Sequence, residues 1–228
     1  FELVRNRRIG LITNPSGVTS RLETTADALR KAGVRLEALF GPEHGVRSDR
    51  PAGVPVTPSR DGDRGVPVHS LYGEARRPSQ EMLRGLDAML FDIQDVGVRF
   101  YTYLTTMVYA MEACAEQGVP FIVLDRPNPI GARMEGPLLE PGLVSFVGAG
   151  PIPVRHGMTV GELALLFQAE RGIGGDLTVL PVRGWRREMF HDDTDLIWIP
   201  PSPNMPTLET ALVYAGMALI EGTELSEG

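Results

Sequence analysis

Short apolar runs alternate along this chain with stretches whose apolar residues recur three and four positions apart. That alternation predicts βαβ units and a parallel sheet. A run that is apolar throughout suits a strand buried on both faces, and the wider spacing suits a helix with one buried stripe. RIGLIT, VRLEALF, VPVHSLY, AMLFDI, PFIVL and DLTVLPV are the expected strands. Ser20 and Glu23 form a capping-box pair for a helix through Lys31 that Gly33 ends, and Pro78 suits the first turn of a short helix through Leu86. Leu104, Met107, Val108 and Met111 fall at i, i+3, i+4 and i+7 of a helix over about 101–117, closed by Gly118. Thr159 and Glu162 make a second capping box, and LETALVYAGMALI is the last helix. Residues 125–158 are rich in Pro and Gly and read as an irregular stretch, either a functional wall or an excursion to another subdomain.

Polar residues cluster just after the strands. The first strand leads into Asn14-Pro15-Ser16-Gly17, and the second into Gly41-Pro42-Glu43-His44-Gly45. The central strand leads into Asp92, Gln94, Asp95 and Arg99, and PFIVL into Asp125-Arg126-Pro127-Asn128. In an open parallel sheet these positions share one edge, where strand carboxyl ends form the ligand crevice. Each residue also has a purely structural reading. Asn14 serves either its own turn or a ligand. Glu43 and His44 form either a polar turn or a fixed catalytic one. Asp92 and Asp95 are either helix caps or ligand groups. Arg99 is either a surface residue or an anion site beside three aromatics, and Arg155-His156 either a structural hydrogen bond or part of a site.

Composition narrows the classes. The 228 residues are 43% hydrophobic with a net charge of −7, and the basic residues are scattered, which argues against nucleic acid as a partner. No apolar run reaches the length of a membrane span. The single Cys114 excludes an internal disulfide and, set in an apolar helical stretch, reads as a buried inert thiol. No G-x-G-x-x-G follows the first strand, and neither a Walker motif nor a G-x-S-x-G elbow occurs. The four His stand at 44, 69, 156 and 191 without a close pair, so neither a metal nor a cofactor is expected. Carboxylates, an imidazole, amides, Tyr hydroxyls and Arg remain: the tools of glycoside hydrolysis or of small-molecule binding.

Eight phrases then appear in order: GLITNPSGV, LFGPEHGVR, FDIQDVGVRFYTY, LDRPNPIG, EGPLL, VRHGMTVGELA, PSPNMPT and EGTELSEG. Together they resemble the bacterial NamZ-type exo-β-N-acetylmuramidases. The resemblance implies a Rossmann-like α/β domain with a catalytic rim over 1–130. It implies that 131–228 continue that domain and begin a smaller carboxy-terminal one, much of which this stretch lacks. It also implies an active site between the domains and release of terminal N-acetylmuramic acid from the non-reducing end of peptidoglycan fragments, a substrate that favours export. Glu43 is then the expected catalytic acid/base with His44 positioning it or the sugar. Asp92 and Asp95 are candidates for a second carboxylate, with Glu135 and Glu221 further back. Arg99, then Arg126 and Arg155, are candidates to clamp the lactyl carboxylate of muramic acid. Asn128 and Asn204 are expected sugar partners, and Asn14, Gln94, Tyr101, His156 and Glu221 complete the binding set. The rival from another class is a protein that binds cell-wall amino sugars or another small acidic ligand without cleaving it.

Overall fold

Each expected apolar run becomes a strand of one sheet. The computed structural model describes residues 2–49, 59–62 and 65–224. In chain order the elements are β1 (Arg8–Thr13), α1 (Thr25–Lys31), β2 (Arg35–Gly41), β3 (Ser59–Arg60), β4 (Pro67–Ser70), α2 (Gln80–Leu83) and β5 (Ala88–Asp92). Then follow α3 (Thr102–Gln117), β6 (Phe121–Leu124), β7 (Glu135–Leu138), β8 (Pro153–Arg155), α4 (Val160–Glu170), β9 (Leu177–Leu180) and α5 (Leu208–Met217). The sheet runs β3-β4-β2-β1-β5-β6-β9. Six of its strands are parallel, and β3 pairs antiparallel with β4 at the edge. This is a Rossmann-like α/β architecture, with the strand order reversing between β1 and β5.

Alternate strand residues feed opposite cores. Ile12, Phe40, Met89, Phe91 and Val123 pack with α3 and α4 through residues such as Leu104, Met107, Leu163 and Phe167. Leu11, Leu39, Leu90 and Ile122 pack on the other face with Ala26 and Leu29 of α1. Beside α1 on that face, Leu90, Ile122, Leu124 and Leu180 line an apolar groove of about 800 Å³.

Three expectations are corrected. α1 begins at Thr25, and its N-cap is Thr24, whose hydroxyl accepts from the Asp27 N–H. Ser20 lies instead in a turn that brings the Thr19 N–H to the Glu23 carbonyl at 2.8 Å. Thr24 and Asp27 repeat the hydroxyl-x-x-acid pattern four residues on, and a bridge between Val18 and Thr24 selects that copy. The helix after Pro78 covers only Gln80–Leu83, because Ser79 is its cap and Gly85 follows in a left-handed conformation (φ +83°). The last helix gives way at Ala218 to a 3₁₀ turn. The Thr159–Glu162 capping box forms as expected, with both bonds present.

The stretch 125–158 contains a small antiparallel hairpin of β7 and β8. The Arg99 N–H donates to the Val154 carbonyl at 2.8 Å, which ties this hairpin to the loop after β5.

Candidate active site

β2 ends at Gly41, and the chain turns at once. A Cβ on Gly41 would lie 2.8 Å from the Val46 nitrogen, so only glycine lets the turn close. His44 sits in that turn with φ +68° and is 7% exposed. A left-handed backbone at a non-glycine residue costs about 1–3 kcal/mol and persists only where the surroundings hold it. Here the strain falls on the pair picked out from sequence. The half-buried Glu43 lies at the amino end of α3, where the Thr102 hydroxyl donates to its Oε2 at 2.9 Å. Tyr101, the N-cap of α3, supplies no capping side chain. The positive end of a sixteen-residue helix therefore lies beside the Glu43 carboxylate.

A second segment crosses this turn. The Pro201 carbonyl accepts from Asn14 Nδ2 at 2.7 Å and from the Tyr103 hydroxyl at 2.8 Å, and that hydroxyl lies 3.3 Å from the Glu43 carbonyl. These bonds strap the proline-rich loop around Pro201 over the sheet edge. Ser202, Asn204 and Met205 are thereby brought to a cleft lined also by Glu43, His44, Tyr101 and Val147. Among the described residues Glu43 is the one carboxylate of that lining. The cleft encloses only about 60 Å³, against about 300–1,000 Å³ for a typical small-molecule pocket, too little for a whole sugar ring. Burial pushes the phenols of Tyr101 and Tyr103 above their usual range and keeps both as neutral hydroxyls. The buried Tyr101 hydroxyl has no partner at hydrogen-bond geometry.

The other residues singled out from sequence share the sheet edge but form separate networks. Asn14 Oδ1 accepts from the Ser16 N–H (2.9 Å) and hydroxyl (2.6 Å), while Gln94 Nε2 donates to the Asp95 and Pro127 carbonyls (2.8 and 2.9 Å). These bonds fix the loops at the strand-order reversal, where ligands usually bind in such sheets. Asp92 lies toward α1, paired with Arg126 Nε at 2.6 Å and accepting from the Thr25 hydroxyl. Asp95 Oδ2 accepts from the Gly97 N–H at 2.7 Å and meets His156 Nε2 at 3.1 Å. Because the His156 Nδ1 accepts from the Met158 N–H, its Nε2 carries the proton and donates to Asp95. Asn128 holds the same corner, donating to the Met158 carbonyl at 3.0 Å.

The expected carboxylate clamps are also engaged elsewhere. Arg99 Nη1 donates to the Pro137 and Ile152 carbonyls at 2.8 and 2.7 Å, and burial lowers its pKa. Arg155 pairs with Glu135 at 2.6 Å and also donates to the Ile130 carbonyl. Glu221 falls in the closing 3₁₀ turn, and its side chain lies outside the described residues. Glu43, His44, Tyr101 and Asn204 are thus brought together, and Asn14 joins them through the strap. Sequence reasoning missed Thr102, Tyr103 and Ser202. The partner of Tyr103 stands 98 residues further along the chain, so no local pattern marks it. No group of three or more His, Cys, Asp or Glu among the described residues is placed to hold a metal ion.

Comparison with known proteins adds to this geometry. A family model described as "Exo-beta-N-acetylmuramidase NamZ, N-terminal" matches residues 9–209. The chain is 56% identical over 227 residues to the peptidoglycan beta-N-acetylmuramidase NamZ of Bacillus subtilis (strain 168), covering 99% of this chain and 55% of that protein. Two crystal structures of DUF1343 family proteins from Bacteroides fragilis NCTC 9343 superpose with TM-scores of 0.88 and 0.85, at 45% and 37% identity. They cover 97% and 98% of this chain but 57% and 59% of their own lengths. The chain therefore spans little more than half the length of the relatives it matches.

Proposed function

Because this chain belongs to the family of the amino-terminal part of NamZ-type exo-beta-N-acetylmuramidases, we propose that it forms the catalytic floor of a glycoside hydrolase. The substrate proposed is peptidoglycan fragments, from which terminal non-reducing N-acetylmuramic acid is released. The observation that carries the reading is Glu43, presented on a strained turn at the cleft and hydrogen-bonded by Thr102. The family resemblance and the name of the Bacillus relative supply the reaction class.

In this reading Glu43 is the acid/base that protonates the departing glycosidic oxygen. His44, fixed beside it, positions the carboxyl group or the sugar. Asn204 meets sugar hydroxyl or acetamido groups, with the Tyr101 ring as part of the cleft lining. The ion pairs of Asp92 and Asp95 favour holding roles for both, Asp92 toward α1 and Asp95 under the hairpin. We place the Rossmann-like domain with its rim at 1–130, its continuation and the beginning of a second subdomain at 131–228, and the roof of the cleft in that second subdomain.

The test is Glu43→Gln in the intact protein, following release from a chromogenic N-acetylmuraminide. General acid catalysis contributes about 10²–10⁴-fold, so turnover should fall by that order while sugar binding persists. Normal cleavage by the variant would remove Glu43 from the chemistry. A wild-type protein that binds the sugar and never cleaves it would be a receptor.

A further inference from the structure

An acidic sugar over Glu43 needs a cation nearby, yet among the described residues no arginine or lysine lines the cleft. Arg99, Arg126 and Arg155 are each held by carbonyls or carboxylates elsewhere. We propose that Arg76 recognises the carboxylate of the bound sugar and thereby sets the preference for acidic over neutral amino sugars. This rests on the glycosidase reading above.

Arg76 is linked to the cleft wall through the Phe146–Val147 segment. β4 pairs in parallel with β2 up to Gly41 and Ser70, and the Leu71 N–H donates to the Gly41 carbonyl at 2.8 Å. The loop leaving β4 therefore departs from the sheet next to the turn that carries Glu43. On that loop the Arg76 guanidinium lies 4.6 Å from the centroid of the Phe146 ring. Phe146 is 8% exposed, with the Tyr72 and Tyr109 rings at 5.9 and 6.1 Å, so the platform is fixed. The next residue, Val147, is part of the cleft wall.

Arg76 is exposed, and among the described residues it has no carboxylate partner. Stacking on a ring holds the guanidinium plane while leaving its N–H edge open, the arrangement that suits two-pronged binding of a carboxylate. A lysine on the same stem would supply the charge without the fork.

The experiment compares wild type, Arg76→Ala and Arg76→Lys in the intact protein. Each is given a chromogenic N-acetylmuraminide, the methyl ester of its lactyl group, and the corresponding N-acetylglucosaminide. Binding of free N-acetylmuramic acid and of its methyl ester is measured alongside by calorimetry. Losing a charge-assisted hydrogen bond should cost Arg76→Ala about ten- to a hundredfold in kcat/KM and in affinity, for the acid only. Arg76→Lys should recover part of that loss. Equal effects on acid and ester, or no effect on either, would overturn the assignment while leaving the hydrolase reading intact. If wild type cleaves nothing but Arg76 still separates acid from ester in binding, the hydrolase reading falls and the anion site stands. If it does neither, both fall.

Discussion

Deleting the two donors of the Pro201 carbonyl, singly and together, tests whether one oxygen holds the strap beside Glu43. Asn14 Nδ2 and the Tyr103 hydroxyl both donate to it, and Pro201 is buried. Tyr103→Phe keeps the ring and leaves the carbonyl its Asn14 bond, so the cost should be one net hydrogen bond, about 1 kcal/mol. Asn14→Ala removes its bond to Pro201 and the two that Asn14 accepts from Ser16, about 2–4 kcal/mol together. Only the double variant leaves a buried carbonyl with no donor, which carries a desolvation penalty of about 1–3 kcal/mol. The double loss should therefore exceed the sum of the single losses by about 1–2 kcal/mol. The Ser16 bonds cancel in the cycle, since both proteins carrying Asn14→Ala lack them. Urea unfolding of the four proteins gives the numbers, followed by the fluorescence of Trp198, whose indole donates to the Met205 carbonyl of the strap at 3.1 Å. Additivity within about 0.5 kcal/mol would refute the shared-acceptor account.

Two further outcomes follow from burial and backbone geometry. His44→Gly should be more stable than His44→Ala by about 1 kcal/mol, the reverse of the usual order, because φ is +68° and both variants lose the same imidazole. Calorimetric melting that ranks alanine first would remove the strain from the account. Burial pushes the Cys114 thiol up to about 12, so a disulfide reagent at pH 8 should label the native protein only as fast as it opens. Prompt labelling without denaturant would contradict the buried position.

Much of the sheet was legible because its strands are apolar on both faces. RIGLIT is β1 residue for residue, and the other parallel strands begin and end within two residues of their runs. The start of α1 was not, since two overlapping hydroxyl-x-x-acid patterns compete and a bridge to Val18 decides between them. The β7–β8 hairpin was hidden by the Gly and Pro in EGPL, which erase any period-two signal. Glu43 and His44 stood out because Gly-Pro punctuates an apolar run. Residues that share the sheet edge do not share one hydrogen-bond network, which their spacing in sequence does not reveal. Six parallel strands about 4.8 Å apart make an edge on the order of 24 Å long, with room for several independent networks. Asp92 with Arg126, and Asp95 with His156, are two of them.

The bond between Asn14 and Pro201 joins residues 187 apart and sets a schedule for the molecule's assembly. During synthesis β1 and β2 emerge early, and the Glu43 turn can form on them long before Ser202 or Asn204 exists. Contacts so distant in sequence close late, because the chain entropy of the intervening loop is lost before the bond returns anything. Until Pro201 has been synthesised, the nascent chain carries the Glu43 turn without the Ser202, Asn204 and Met205 side of the cleft. Ser202, Asn204 and Met205 join the Glu43 turn together, when the strap docks.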